Sequence, residues 1–136
     1  MKKTYICNLT KIKFDFVFLK DIVKKIGQIK SIKQGEIGLI LLDDEEIQRY
    51  NLKYRGVDRP TDVLAFPVDE NTGEILISLD SAKKQAKIYR QSLKQEMSLL
   101  VLHGFLHLAG YKDNSKKNRL KMEKEEENIL NLIKTQ

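Results

Sequence analysis

The chain of 136 residues is poor in several features, and each shortage narrows its class. A single cysteine cannot form an internal disulfide, so nothing calls for an oxidising compartment. Cys7, within Thr4-Tyr5-Ile6-Cys7, reads as a small buried hydrophobe on a strand. No apolar run reaches the 18 or so residues of a membrane span; the most apolar stretch, Ser98 to Gly110, is shorter and carries two histidines. Met1-Lys2-Lys3 resembles the start of a signal peptide, but Lys11, Lys13 and Asp15 break the segment where an apolar core would lie. The expectation is a mature N-terminus on a soluble, cytoplasmic protein without membrane contact. There is no repeat, low-complexity tract or Pro/Gly/Ser linker, which points to one domain spanning 1–136.

What is present suffices for a core: 41% of residues are apolar, and 32% are charged with both signs mixed. The net charge of +6 conceals a pattern. Residues 1–35 carry nine basic and two acidic groups, residues 36–80 four and eleven, and residues 81–136 twelve and six. Two basic segments thus flank an acidic one, and folding could gather them into a basic patch suited to a polyanion. Twenty of the 25 basic residues are lysine, however, and lysine-rich helix faces are ordinarily just solvated.

Periodicity outlines the elements. Residues 3–9 alternate as a short strand; Phe14, Phe16, Val17, Phe18, Ile22, Val23 and Ile26 recur at helical spacing up to Gly27. Gly35 to Leu42 ends in an unbroken apolar run suited to a central strand buried on both faces. Asp43-Asp44-Glu45-Glu46 places carboxylates on the first turn of a helix that carries Ile47, Tyr50 and Leu52 and stops near Gly56. That position accounts for the acidic cluster without a metal. Val63 to Phe66, closed by Pro67, and Ile75 to Ser78 read as two strands of a hairpin around a turn at Asn71-Thr72-Gly73. Three helices follow, near 80–91, 94–109 and 115–134, with a break at Gly110. The order βαβαββααα predicts an α/β (α+β) fold: a mixed four-stranded sheet packed with helices, with the chemistry on a helix near the C-terminal third.

That chemistry lies in Leu99 to Gly110. The only two histidines, His103 and His107, sit four residues apart on a predicted helix and therefore share one face. Two imidazoles at this spacing can bind one metal ion, as in HExxH zinc enzymes. The alternative, two core histidines without a ligand, would leave buried ring nitrogens to be satisfied. The glutamate that serves zinc proteases as general base is absent; Gly104 occupies its place, opening space beside the metal or admitting a close neighbour. Gly110 lets the chain reverse, which makes Asp113 the best placed third ligand.

His103-Gly104-Phe105-Leu106-His107-Leu108-Ala109-Gly110-Tyr111 resembles the signature of the YbeY family of bacterial endoribonucleases. Tyr54 to Pro67 (YRGVDRPTDVLAFP) resembles its second signature, and Gly73 to Ser78 its third; the resemblance covers about residues 37–133. It implies a zinc-dependent, single-strand-specific endoribonuclease with one ion per chain. The implied role is 16S rRNA 3′-end maturation and ribosome quality control, with ribosomal RNA and ribosomal subunits as partners. Family members carry a third zinc-binding histidine where this chain has Asp113, and an aspartate where it has Lys112. Met122 keeps the family's spacing from His103, so Asp113 is a replacement in register, giving a His₂Asp set. Ala65 and Glu74 replace the family's usual Ser and Asp. Arg55 matches the family's essential arginine, whose fork can hold the scissile phosphate. Arg59 and Lys112 are candidate substrate contacts, and Asp62 caps a turn or touches substrate. Two alternatives remain: a ribosome-associated processing factor with weak or no nuclease activity because of the altered ligand, and a metalloprotease-like hydrolase.

Overall fold

The computed structural model describes residues 3–134; Met1 and Lys2, which open the signal-like start, lie outside the described residues. The strands are β1 (Lys3–Asn8), β2 (Glu36–Leu42), β3 (Val63–Pro67) and β4 (Thr72–Ser78). The helices are α1 (Phe16–Ile29), α2 (Asp44–Arg55), α3 (Leu79–Ile88), α4 (Leu93–Leu108) and α5 (Lys116–Lys134). They follow in the order read from the periodicity. The strands form one sheet in the order β1-β2-β4-β3, with β1, β2 and β4 parallel and β3 antiparallel at the edge. This is the expected mixed α+β fold.

The unbroken apolar run of β2 places it inside the sheet between β1 and β4, where both its faces are covered. One face of the sheet carries Ile37, Leu39, Leu41, Ile75 and Ile77 against α1, α3, α4 and α5. The other is covered by α2, through Ile47 and Tyr50 packed with Leu42, Leu64, Leu76 and Phe66. Beyond the end of that helix, Tyr5 reaches across the sheet. Its ring lies over Gly38, where a Cβ would come within 2.3 Å of Tyr5 Cζ, and its hydroxyl donates to Glu74 at 2.9 Å. Burial, then the Glu74 carboxylate, pushes the Tyr5 hydroxyl up to about 12.

The helix termini follow their sequence signals. Asp15 caps α1 by accepting from the Phe18 amide, Asp43 caps α2 by accepting from that of Glu46, and Ser92 with Gln95 forms a capping box on α4. Gly56 ends α2 at φ 70°. Of the acidic cluster, Asp43 is this cap, Asp44 bonds to α3, and Glu45 and Glu46 pair with Arg49.

Five local readings need correction. Helix α1 continues through Gly27 to Ile29, because a glycine with ordinary backbone angles does not stop a helix that is packed on one side. Phe16 and Val17 are exposed; the buried stripe is Leu19, Ile22, Val23 and Ile26. On α2, Leu52 is exposed and Asn51 is buried, its amide donating to the Arg59 carbonyl. The β3–β4 turn lies earlier than Asn71-Thr72-Gly73, since Asp69 accepts from the amides of Asn71 and Thr72 and Thr72 already belongs to β4. Cys7 is on a strand as read, but only half-buried, because β1 is an edge strand.

Helix α4 lies directly against the sheet. A Cβ at Gly104 would fall 2.5 Å from Ile75 Cγ2, and one at Gly73 would fall 2.9 Å from Leu108 Cδ1. Of the two roles open to Gly104, the close neighbour is the one realised.

The start of α2 is tied to α3 through Asp44. One carboxylate oxygen accepts from Ser78 Oγ at 2.6 Å and Ser81 Oγ at 2.7 Å, and the other meets Lys84 Nζ at 3.2 Å. Burial pushes the pKa of this carboxyl up, but the three donors outweigh it and leave the pKa lowered. Asp44→Ala should therefore cost about 1–3 kcal/mol, since the buried Ser78 hydroxyl loses its acceptor. The lowered folded value makes this contribution complete above the unfolded carboxyl pKa of about 4. It is lost as pH falls through the folded value. Thermal melts of wild type and variant should differ at neutral pH and converge in acid; a constant gap, or none, would contradict the assignment.

Candidate metal centre

With its glycine side against the sheet, α4 turns His103 and His107 toward the C-terminal segment, where both are half-buried. The helix ends by a reversal: the amides of Gly110 and Tyr111 bond back to the carbonyls of His107 and Leu106 at 3.0 Å, and Gly110 takes φ 100°. This turn brings Asp113 back to the histidines. The Nε2 atoms of His103 and His107 lie 3.1 Å apart, and Asp113 Oδ2 lies 3.5 Å from His107 Nε2. The three donor atoms are all within 4.8 Å of one another.

The donor set fits a tetrahedral cation. Ligand bonds of about 2.0–2.1 Å at tetrahedral angles put donor atoms roughly 3.3 Å apart, close to two of the separations here. Two nitrogens and one carboxylate would leave a fourth position for water. Without an ion the two facing nitrogens share one proton, one ring donating and the other accepting at 3.1 Å.

Glu126, on α5, holds the first histidine. Its Oε2 lies 3.1 Å from His103 Nδ1, and the residue is 8% exposed. A carboxylate there requires the Nδ1–H tautomer and aims the Nε2 lone pair at the donor cluster. Burial opposes charge on His103, but the Glu126 hydrogen bond and its charge prevail and raise the pKa. Burial, then the neighbouring His103, lowers that of His107. The next residue, Glu125, secures the turn that carries Asp113: Tyr111 donates to Glu125 at 2.8 Å, and Lys30 Nζ reaches Tyr111 Oη at 2.6 Å and Glu125 at 3.2 Å. The Tyr111 hydrogen bond, foremost, raises Lys30 and, together with Lys30, lowers Glu125.

Sequence reasoning missed these supporting residues. Glu126 left a trace: a charged residue in the buried stripe Met122, Glu126, Ile129, Ile133 of α5. Lys30 left none, being 81 positions from Tyr111.

The other candidates lie outside the cluster. Beside His103 opens a cleft of about 550 Å³ with acidic walls, including Asp62, Glu96, Glu123 and Glu127. Asp62 accepts from Gln85 there, and burial raises the pKa of Glu96 despite a hydrogen bond from Gln91. Lys112 is exposed and lines a separate depression with Asn118 and Lys121. Arg55, on the last turn of α2, and Arg59, in the loop that follows, are exposed and line neither recess.

A family profile described as Endoribonuclease YbeY matches residues 6–134. The chain is 39% identical over 116 residues to Endoribonuclease YbeY of Heliobacterium modesticaldum, covering 73% of this chain and 70% of that one. It is 38% identical over 119 residues to Endoribonuclease YbeY of Acholeplasma laidlawii, covering 85% and 83%. The solution structure of TM1509 from Thermotoga maritima superposes with a TM-score of 0.62 at 30% identity, covering 97% of this chain and 92% of that one.

The donor set predicts one divalent ion per chain in protein purified without an affinity tag. Asp113→Ala should weaken retention, and Glu126→Gln should lower affinity by about 10–100-fold, by the usual effect of losing a carboxylate behind a metal-binding histidine. Elemental analysis and competition with a chromophoric chelator check both. A metal-free wild type, or equal occupancy in Asp113→Ala, would contradict the assignment.

Proposed function

Since the chain belongs to the YbeY family, we propose that it is a metal-dependent endoribonuclease of ribosomal RNA processing. The reading extends to single-stranded RNA as substrate, to 16S rRNA 3′-end maturation and ribosome quality control, and to ribosomal subunits in the cytoplasm as the setting. The observation that carries it is the convergence of His103 Nε2, His107 Nε2 and Asp113 Oδ2.

Zinc is the ion of choice for two imidazoles and one carboxylate; bound there it would supply a Lewis acid and a water acidic enough to act near neutral pH. Asp113 adds a negative charge that a third histidine would not, which widens tolerance toward harder ions such as Mn²⁺ and makes a bound water less acidic. Glu126 fixes the tautomer of His103. Arg55 is assigned the scissile phosphate: its planar fork can take two phosphate oxygens and stabilise the charge that develops on them. Arg59 and Lys112, both exposed, are assigned to the RNA backbone, where each contributes through charge alone. Zinc-protease chemistry lacks its general base, since Gly104 stands in the required position and packs against Ile75.

A second reading, a ribosome-associated factor with weak nuclease activity, draws on one observation: the Asp113 side chain is 50% exposed, against 27% for His107. A ligand so open to water competes less well for the ion than a buried one.

Arg55→Glu should reduce cleavage of a single-stranded RNA by at least about 100-fold, the scale of losing one transition-state charge contact, while metal content stays unchanged. Undiminished cleavage would sink the role given to Arg55. Asp113→His should raise cleavage sharply if the second reading holds and change it little if the native set is already competent.

A further inference from the structure

The last turn of α2 holds an aromatic arrangement that the metal site does not use. The Tyr54 ring stacks on Phe66 of β3 at 4.4 Å between centroids and 21° between planes, and runs parallel to the Tyr50 ring at 6.3 Å and 3°. Tyr50 and Phe66 pack into the small core beneath α2, but Tyr54 stays 50% exposed. Its neighbours in sequence are both cations: Lys53 Nζ lies 5.4 Å from the ring centroid, and Arg55 is exposed one residue on. The acidic groups of this helix are gathered at its opposite end, in Asp44, Glu45 and Glu46.

A flat ring, backed by a second ring and flanked by two cations, matches the chemistry of an unpaired nucleotide, with a π-face to stack and a phosphate to neutralise. Duplex RNA offers no such face, because its bases are already stacked on each other. The placement also suits a strand that leads to the metal centre. Phe66 and Ala65 are adjacent in β3 and so point to opposite faces of the sheet, Phe66 toward α2 and Ala65 into the core that contains α4. β3 is an edge strand, with no further strand outside it among the described residues. A chain passing round that edge would meet Tyr54 and Arg55 on one side and the helix bearing His103 and His107 on the other.

We propose that Tyr54, backed by Phe66 and flanked by Lys53 and Arg55, is a stacking subsite for an unpaired base of single-stranded RNA. The proposal rests on the endoribonuclease reading and deepens it, by giving a physical origin to a preference for single strands.

The chain has no tryptophan, so Tyr54→Trp places a lone indole at the subsite. With a chelator present to hold cleavage back, the probe is a single-stranded oligoribonucleotide of about ten nucleotides, within the usual footprint of such surfaces. It should quench the indole emission, and a duplex of equal length should not. Tyr54→Ala should weaken binding of the oligonucleotide, and raise KM for its cleavage, by roughly 5- to 100-fold with metal content unchanged. Tyr54→Phe should bind as wild type does. If wild type and Tyr54→Ala bind equally and the indole is silent, the subsite is wrong while the endoribonuclease reading stands. If wild type neither binds nor cleaves RNA, that reading fails and takes the subsite with it. Quenching by RNA-free ribosomal protein alone would assign the face to a protein and overturn the proposal. Should Tyr54→Ala fail to fold for want of its contact with Phe66, the indole titration alone decides.

Discussion

The contact on which the site depends is that of Gly104 with Ile75. A helix approaches a sheet this closely only where a side chain is missing, and here any Cβ would stand 2.5 Å from the isoleucine methyl. Four residues on, the relation is reversed: Leu108 of α4 fills the space left by Gly73 of β4. The two glycines fix the depth of α4, its position along the sheet and its rotation. With rotation set, helical geometry does the rest, because positions 103 and 107 then project from one side with their imidazoles edge to face at 4.7 Å between centroids. Half of the residues of α4 are buried, so slippage along the sheet would expose apolar surface at about 25 cal/mol per Å². The two histidines are therefore carried by an element that the core holds in place.

Helix α5 plays the complementary part from outside. Glu125 and Glu126 are neighbours in sequence and do different work: the first bonds Tyr111 and Lys30, the second His103. One helix turn thus sets the tautomer of one histidine and tethers the turn that bears Asp113. The cost is electrostatic. Glu126 and Asp113 are both carboxylates near one point, and the cleft beside His103 is walled by further acids, so a polyanion approaching from that side meets repulsion. Lysine-rich terminal segments alone do not remedy this, as their charge is distributed over several helix faces. Cations away from those acids are found in two places, Lys112 and Lys121 in the separate depression and Lys53 and Arg55 at the end of α2.

Much of this was legible in the sequence, and the reasons differ by element. The histidine pair was readable because both halves of the signal are local, the spacing and the glycine that reverses the chain at Gly110. The order of strands and helices was readable for the same cause. Misreadings arose where burial is decided by topology. Cys7 alternates like a core residue, but it belongs to an edge strand, and Phe16 and Val17 fit a helical stripe that lies one residue away from the side facing the core. Glu126 showed as a carboxylate in an apolar stripe, yet its partner 23 residues away was not deducible from spacing. Arg55, Arg59 and Lys112 were singled out by resemblance, and none of them touches the donor cluster, because surface cations find their roles only against a ligand.

Position 113 is where local and global constraints meet. A histidine reaches farther than an aspartate, so the shorter side chain requires the turn to come closer to the helix. The Lys30–Tyr111–Glu125 cluster anchors position 111 to both the end of α1 and α5, two residues before Asp113. With the backbone so held, Asp113 Oδ2 comes within 3.5 Å of His107 Nε2 while its side chain remains half in water. The same openness limits how firmly it can hold an ion. With the turn fastened in this way, the short carboxylate of Asp113 reaches the histidines while the helix stays where the two glycines put it.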